Sequence, residues 1–227
     1  MSTQSTMTRY TPYGMIARRF AAQPVDRAGL LTLLDFMLDD AEKLFGKRRN
    51  LHPYVFEGIY FASSHGRFEY SHENGRYTAR IRLASGTLKR HKSAIWTLSH
   101  ECIHLLSAPG TRATVLEEGL ACWYQKRWVR ECPELFPEWA KSPDRVVKGF
   151  VCNYDEAHGL VDSLISQDET IIKKLRQLQP ETSRISASMI ARVMPEVDRT
   201  LARRLTQKFK RIRRKRDEDN SVADQHA

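Results

Sequence analysis

The sequence lacks any long apolar run, and this excludes one class of protein at the outset. None of its 227 residues belongs to such a run, whereas a membrane-spanning helix needs about 18 consecutive apolar residues. Residues 1–10 are rich in serine and threonine and lack the apolar core of a secretory signal peptide. We therefore predict a cytoplasmic protein with one sizeable domain.

Cysteine is scarce, and its spacing offers no metal or redox motif. The four cysteines are Cys102, Cys122, Cys132 and Cys152, and they form no Cys-x-x-Cys pair. We predict reduced side chains that pack in the interior of a cytosolic protein. A disulfide, or a thiolate that binds zinc, is the alternative.

Acidic residues are missing from one segment near the C-terminus, which makes the charge distribution uneven. The formal net charge is +10, and residues 203–216 carry nine lysines and arginines without one acid. The tail that follows, residues 217–227, carries four acidic residues. We predict a basic helix end that leads into a disordered acidic tail. Contact with nucleic acid through 203–216 is the alternative.

The candidate metal-binding and catalytic residues are concentrated in the segment His100-Glu101-Cys102-Ile103-His104. Residues i and i+4 share a helix face, so His100 and His104 can direct ring nitrogens at one metal ion. Glu101 lies beside them and can take a proton from water bound to that metal. The flanking residues are mostly apolar or small and predict a buried helix, in which imidazole rings need partners.

A catalytic zinc site needs three protein ligands and an open position, so a third ligand must come from elsewhere. The Pro109-Gly110 pair predicts a turn, after which a second helix returns antiparallel to the first. At about 1.5 Å rise per residue, Glu118 returns to roughly the level of His100. Glu117 is the rival ligand, because it lies nearer the apolar stripe of that helix, and periodicity leaves both open.

His-Glu-x-x-His followed by Glu118-Gly119-Leu120-Ala121 resembles the gluzincin zinc metallopeptidases, in particular the peptidase MA-like domains similar to the M1 aminopeptidase core. The resemblance covers roughly residues 81–164. It implies zinc as cofactor, with His100, His104 and Glu118 as ligands. The spacing from His104 to Glu118 is shorter than in the M1 enzymes, and their Gly-x-Met-x-Asn segment is absent. The resemblance therefore implies an endopeptidase or an untyped peptidase.

The resemblance also implies catalytic roles for individual residues. Glu101 is expected to be the general base that passes its proton to the leaving amine, and the oxyanion needs one further donor besides zinc. Gluzincins similar to the M1 enzymes often place a tyrosine downstream of the ligands, which here implies Tyr154, with Tyr124 and His158 as alternatives. Glu117 is either a carboxylate that orients a ligating histidine or a solvated, salt-bridged residue.

Periodicity and turn signals predict an α+β, zincin-like fold with a small antiparallel or mixed sheet followed by a mainly helical half. Strands are predicted at 54–61, 67–71 and 77–83, with a hairpin at Asn74-Gly75. Segment 77–83 is either the sheet edge that pairs with substrate or an ordinary strand whose charged residues face water. Helices are predicted at 24–46, 88–106, 111–131, 144–151, 153–167, 169–178, 186–193 and 195–213.

The predicted domain organisation is an irregular arm over 1–23, one catalytic domain over 24–202 and the charged end over 203–227. The predicted function is a zinc-dependent peptidase, in which a zinc-activated water attacks a peptide or protein substrate with Glu101 as general base. Two alternatives belong to other classes. One is a zinc-binding regulatory or scaffold domain without hydrolysis, and the other is a nucleic-acid-associated processing protein that uses the basic segment.

Overall fold

A computed structural model of the chain describes residues 12–48, 54–63, 66–107, 113–137 and 152–210. Within these ranges the fold is α+β, and a three-stranded mixed sheet precedes most of the helices. The predicted fold class, a small sheet followed by a mainly helical half, is therefore confirmed.

Two helices come before the sheet and the others come after it in the described ranges. The elements are α1 Pro12–Ala21, α2 Arg27–Phe45, β1 Tyr54–Ala62, β2 Arg67–Glu73, β3 Arg76–Ala84, α3 His91–Ser107, α4 Val115–Glu131, α5 Cys152–Gln167, α6 Ile171–Leu178, α7 Ala187–Val193 and α8 Arg199–Leu205. Short 3₁₀ helices occupy Ser85–Lys89 and Thr182–Arg184. The predicted helix at 144–151 and residues 211–227 lie outside the described residues.

The structure corrects the sequence prediction at both ends of the described chain. Part of the arm that was predicted irregular forms α1, because Tyr13, Ala17 and Phe20 recur at helical spacing and are buried. The last helix ends at Leu205 instead of continuing to residue 213. There the hydroxyl of Thr206 donates to the carbonyl of Ala202, and the chain continues as an extended segment.

The sheet has the strand order β1-β3-β2, with β1 parallel and β2 antiparallel to β3. The hairpin between β2 and β3 turns at Asn74 and Gly75, both of which have positive φ, as a tight two-residue turn requires. Strand β3 is central, so the prediction that 77–83 forms the sheet edge is wrong. Strand β2 is the edge on that side, because β1 joins the opposite side of β3.

Helix α3 lies at the centre of the core and contacts the sheet, α2 and α4. The side of β3 that faces the core carries Ala79, Ile81 and Leu83, all fully buried. Glycine allows β2 to approach α3 closely, since a Cβ atom on Gly66 would collide with the methyl group of Thr97. The edge strand therefore starts directly beside the helix that carries His100, Glu101 and His104.

Helices α4 and α5 also pack closely around a glycine. A Cβ atom on Gly119 would overlap the carbonyl oxygen of Ala157 and lie 2.6 Å from a methyl group of Val161. Backbone atoms cannot give way as a flexible side chain does. The glycine that follows Glu118 therefore sets how close α5, with Tyr154, lies to the helix that carries this carboxylate.

We expect Gly119→Ala to lower the free energy of unfolding by about 1–3 kcal/mol, because α5 must move outward to relieve the overlap. Urea denaturation of the purified variant measures the change. Gly159→Ala is the matched control, since Gly159 lies exposed on α5 with nothing within 4 Å of an added Cβ. It should gain up to about 1 kcal/mol from helix propensity. Equal stability of the two variants would contradict the packing argument.

The face of the sheet that points away from the core is polar and strongly charged. This outer face consists of Arg67, Glu69 and Ser71 on β2 with Thr78, Arg80 and Arg82 on β3. The carboxylate of Glu69 contacts Arg67, Arg80 and Arg82 at 2.7, 3.0 and 3.2 Å. Partial burial alone would raise the pKa of Glu69, but hydrogen bonds from Tyr60, Arg67 and Arg80 outweigh it and lower the pKa to about 2.

The lowered pKa of Glu69 predicts a stabilisation that disappears in acid. Its ordinary value is 4.5, so the ionised carboxylate contributes fully above about pH 4.5, and the contribution is lost as pH falls towards about 2. We expect Glu69→Gln to unfold more easily than the wild type at neutral pH, with a difference that shrinks across this window. Urea midpoints at several pH values measure it. A difference that grows on acidification would contradict the prediction.

Candidate metal centre

The helix pair α3–α4 brings together the acidic and histidine residues that the sequence indicated. Helix α4 begins at Thr114, whose side chain accepts a hydrogen bond from the backbone N–H of Glu117 at 3.3 Å. This cap places Glu117 and Glu118 in the first turn, where the positive end of the helix dipole favours carboxylates. Both side chains are buried beside α3.

The two histidines of α3 and one carboxylate of α4 converge. The Oε2 atom of Glu118 lies 3.2 Å from Nε2 of His100 and 3.8 Å from Nε2 of His104. One ligand atom from each of the three residues lies within 4.8 Å of the others. The predicted ligands His100, His104 and Glu118 therefore form a largely buried group at metal-binding distance.

The second ring nitrogen of each histidine has its own acceptor. Nδ1 of His104 lies 3.0 Å from Oε1 of Glu117, and Nδ1 of His100 lies 3.2 Å from Oε1 of Gln125. The amide nitrogen of Gln125 donates to the carbonyl of Trp96 at 2.8 Å, which leaves its oxygen facing His100. Each Nδ1 thus faces an oxygen that can accept its proton, and each Nε2 faces Glu118, where a metal ion would take up its lone pair.

These contacts distinguish the two adjacent glutamates. Glu118 lies among the Nε2 atoms, and Glu117 lies behind His104 in the orienting position that was one of its two predicted roles. Gln125 was missed by sequence analysis. A helical spacing could have found it, because Gln125 follows Glu118 by seven residues, which is two helical turns on the same face.

The electrostatics of the cluster favour a positive charge between the two helices. Burial alone would lower the pKa of His100, but the Cys122 thiol and the Glu118 carboxylate outweigh it and raise the pKa well above its ordinary value. Burial alone would also lower the pKa of His104, but the carboxylates of Glu118 and Glu117 outweigh this effect and raise the pKa. Carboxylates that hold protons on these rings can equally hold a metal cation in their place.

The cysteines pack in the interior as predicted, as far as they are described. Cys102, Cys122 and Cys132 are buried and free. Burial raises the pKa of the Cys122 thiol, against the opposing effect of His100. The side chain of Cys152 lies outside the described residues.

Glu101 lies between the ligand cluster and the edge of the sheet. Its side chain is 6% exposed, and its Oε2 atom accepts a hydrogen bond from the backbone N–H of Phe68 at 2.6 Å. The ring of Phe68 stacks on His104 with 6.4 Å between ring centres. Strand β2 therefore contacts both the predicted general base and one ligand, which is a contact that sequence analysis missed.

Tyr154 is the predicted oxyanion donor that the fold brings near the cluster. Its ring lies edge-on to His100, with 6.0 Å between centres, and Phe209 packs on its other side at 4.7 Å. The hydroxyl of the alternative, Tyr124, donates to the carbonyl of Met37 at 2.8 Å and therefore points towards α2. The other alternative, His158, has its Nδ1 atom 3.4 Å from the amine of Lys126.

The segment that carries Phe209 is attached to the start of α4. The backbone N–H of Val115 donates to Gln207, and that of Phe209 donates to Ala113, both at 2.9 Å. The side chain of Asn153 on α5 donates to the carbonyl of Lys210. The residues after α8 therefore brace both the beginning of the helix that carries Glu118 and the beginning of the helix that carries Tyr154.

No protein-family model matches this sequence, and comparisons with curated proteins and with solved structures gave no match either. The gluzincin resemblance thus stays a prediction from the motifs. None of the helices in the described ranges combines the length and the apolar character that a membrane crossing needs.

The geometry predicts unequal effects for the two adjacent glutamates on metal binding. Glu118→Ala removes one of three ligands, so we expect the purified variant to lose stoichiometric metal. Glu117→Ala removes only the acceptor behind His104, so metal affinity should weaken by about tenfold to a hundredfold. Elemental analysis and chelator competition with Zn²⁺ measure both effects.

The exposed Glu196 offers a matched control, because Glu196→Ala removes an equal charge outside the cluster. This variant should bind metal like the wild type. If Glu118→Ala kept its metal while Glu117→Ala lost it, the assignment of the third ligand would be wrong.

Proposed function

We propose that the protein is a zinc-dependent peptidase whose metal is held by His100, His104 and Glu118. The observation that carries the proposal is the convergence of two Nε2 atoms and one carboxylate oxygen beside Glu101. Two imidazoles and one carboxylate form a donor set found in catalytic zinc sites, in which three protein ligands leave one position open. Bound there, zinc would lower the pKa of water and polarise the carbonyl group of a substrate.

Glu101 supports the hydrolytic part of the proposal. It lies between His100 and His104 on the same turn of α3, and one carboxylate oxygen is held by the N–H of Phe68. The other oxygen, Oε1, takes a proton from the attacking water and passes it to the leaving amine. The hydrogen bond from β2 keeps the carboxylate oriented during both transfers, as general acid–base catalysis requires.

Tyr154 is proposed as the protein donor to the oxyanion that forms during attack. Its place beside His100, with Phe209 behind it, supports this role. A phenolic O–H can donate to a developing negative charge without itself losing the proton.

The free side of β2 is the proposed place for the substrate backbone. Backbone groups of an antiparallel edge strand alternate between its partner and the outside. Since the N–H of Phe68 points away from β3 to Glu101, the backbone groups of Tyr70 and His72 point the same way. An extended peptide that pairs with this edge would bring a peptide bond next to Glu101. Strand β2 thus takes the substrate-pairing role that the sequence suggested for segment 77–83.

One observation favours a second candidate, a zinc-binding domain without hydrolysis. Glu101 is almost fully buried, and its carboxylate binds backbone, as a purely structural residue would. The two candidates differ in what a neutral side chain at this position should do.

Replacing Glu101 by glutamine separates the two candidates. Glutamine keeps an oxygen that can accept the hydrogen bond from Phe68 but cannot serve as a base. We expect Glu101→Gln to lose hydrolysis by about a hundredfold or more, with zinc content unchanged. Mass spectrometry of a peptide library, incubated with and without chelator, measures cleavage, and elemental analysis measures zinc.

Glu196→Gln, at an exposed position outside the sheet and the cluster, is the control and should cleave like the wild type. Full hydrolysis by Glu101→Gln would refute the mechanism. A zinc-loaded wild type that cleaves no member of the library would favour the non-hydrolytic domain.

A further inference from the structure

The outer face of the sheet carries a fixed group of arginines beside the proposed substrate edge. Arg67, Arg80 and Arg82 surround the single carboxylate of Glu69. Glu57 also attracts Arg80, so three positive charges face two negative charges and leave an excess of one. One of these arginines, Arg67, lies on β2, the strand that contacts Glu101, and Arg80 and Arg82 lie beside it on β3.

The arginines are held in place and still reach solvent. The guanidinium of Arg80 lies over the ring of Tyr60, 4.9 Å from its centre, and the hydroxyl of Tyr60 donates to Glu69. The side chains of Arg67 and Arg80 are nevertheless 55% and 51% exposed. A guanidinium has five N–H donors, and contact with one carboxylate leaves several for another acceptor.

A groove of about 370 Å³ runs along this face. Its lining includes Arg67, Phe68, Glu69, Ser71, Thr78 and Arg80. The hydroxyl groups of Ser71 and Thr78 lie 2.8 Å apart across the two strands and add further polar groups. The groove also touches Phe68, whose backbone N–H contacts Glu101 at the edge of the sheet.

A peptide paired with β2 would place every second side chain on the outer face. Side chains opposite each other on neighbouring strands have Cβ atoms about 5 Å apart and interact directly. A carboxylate side chain at these positions would meet Arg67, whose planar fork matches carboxylates geometrically. Arg80 lies one strand further, on β3, and reaches towards β2 through its contact with Glu69. Lysine or arginine there would be repelled by the same charges.

We propose that the outer face selects substrates with aspartate or glutamate near the cleaved bond, with Arg67 and Arg80 as the specificity-determining residues. The inference rests on the proposed peptidase function, because it assigns a substrate class to that site.

A paired-peptide experiment tests the proposal. A library with Asp or Glu at each position near the cleaved bond is compared with its Asn or Gln counterpart, and kcat/KM is measured for each pair. We expect the wild type to prefer the acidic members by roughly threefold to tenfold. Arg67→Gln and Arg80→Gln should lose this preference, Arg80→Lys should keep part of it, and Arg192→Gln, at an exposed position on α7, should keep all of it.

A binding measurement makes failure of the inference distinguishable from failure of the proposed function. Fluorescence anisotropy of the same peptides on Glu101→Gln protein needs no hydrolysis, and it is repeated at low and high salt. Cleavage without acidic preference would overturn the inference and leave the peptidase intact. Acidic preference in binding without any cleavage would support the recognition face and overturn the peptidase.

Two further outcomes of the binding measurement also decide whether the outer face selects acidic substrates. Binding without acidic preference overturns the inference whether or not peptides are cleaved. Tight binding of a single-stranded oligonucleotide that depends on Arg67 and Arg80, without preference among the peptides, would overturn it in favour of a nucleic-acid surface.

Discussion

The burial of two imidazole rings between two helices is the constraint on which the rest of the structure depends. Buried polar groups are costly unless each is hydrogen-bonded, and His100 and His104 have four ring nitrogens among them. Glu117, Glu118 and Gln125 supply the oxygens that face these nitrogens. All three come from α4, so α4 must lie antiparallel to α3 at a fixed register, and its first turn must begin at the level of the histidines.

The neighbouring elements follow from that register. Because Glu118 is fixed in the first turn of α4, the next residue, Gly119, determines how closely α5 can approach. On the other side of α3, Gly66 allows the edge strand to start close enough for its backbone to reach Glu101. Two glycines thus bring β2 against α3 and α5 against α4, so that Phe68 lies beside His104 and Tyr154 lies beside His100.

Local patterns were sufficient to predict the parts of the site that lie within one or two helices. The spacing of His100 and His104, and the return of the pair Glu117-Glu118 after the turn, follow from helical geometry, whereas the choice of Glu118 came from the gluzincin resemblance. Strand order is different, because the alternation of β3 indicates which residues face the core but not which side β1 joins. The contact of Phe68 with Glu101 and the packing of Phe209 on Tyr154 depend on segments distant in sequence, for which no short-range periodicity exists.

The charged side chains that are buried in the described part of the protein are mostly negative. Five glutamates are buried in the described part of the chain: Glu42, Glu101, Glu117, Glu118 and Glu181. Only two basic side chains, Lys126 and Arg176, are buried in the same ranges. Burial therefore removes more negative than positive charge from the surface of a chain whose formal net charge is already +10.

A surface more basic than the composition suggests attracts acidic partners over distances of about a Debye length, roughly 8–10 Å at moderate salt. A cation bound by the buried carboxylates of the cluster would add to this potential. The same interior acids that face the two histidines thus leave the surrounding arginines in excess. In this protein the carboxylates of the candidate site and the basic charge of its surroundings have one origin, which is the burial of glutamates in the interior.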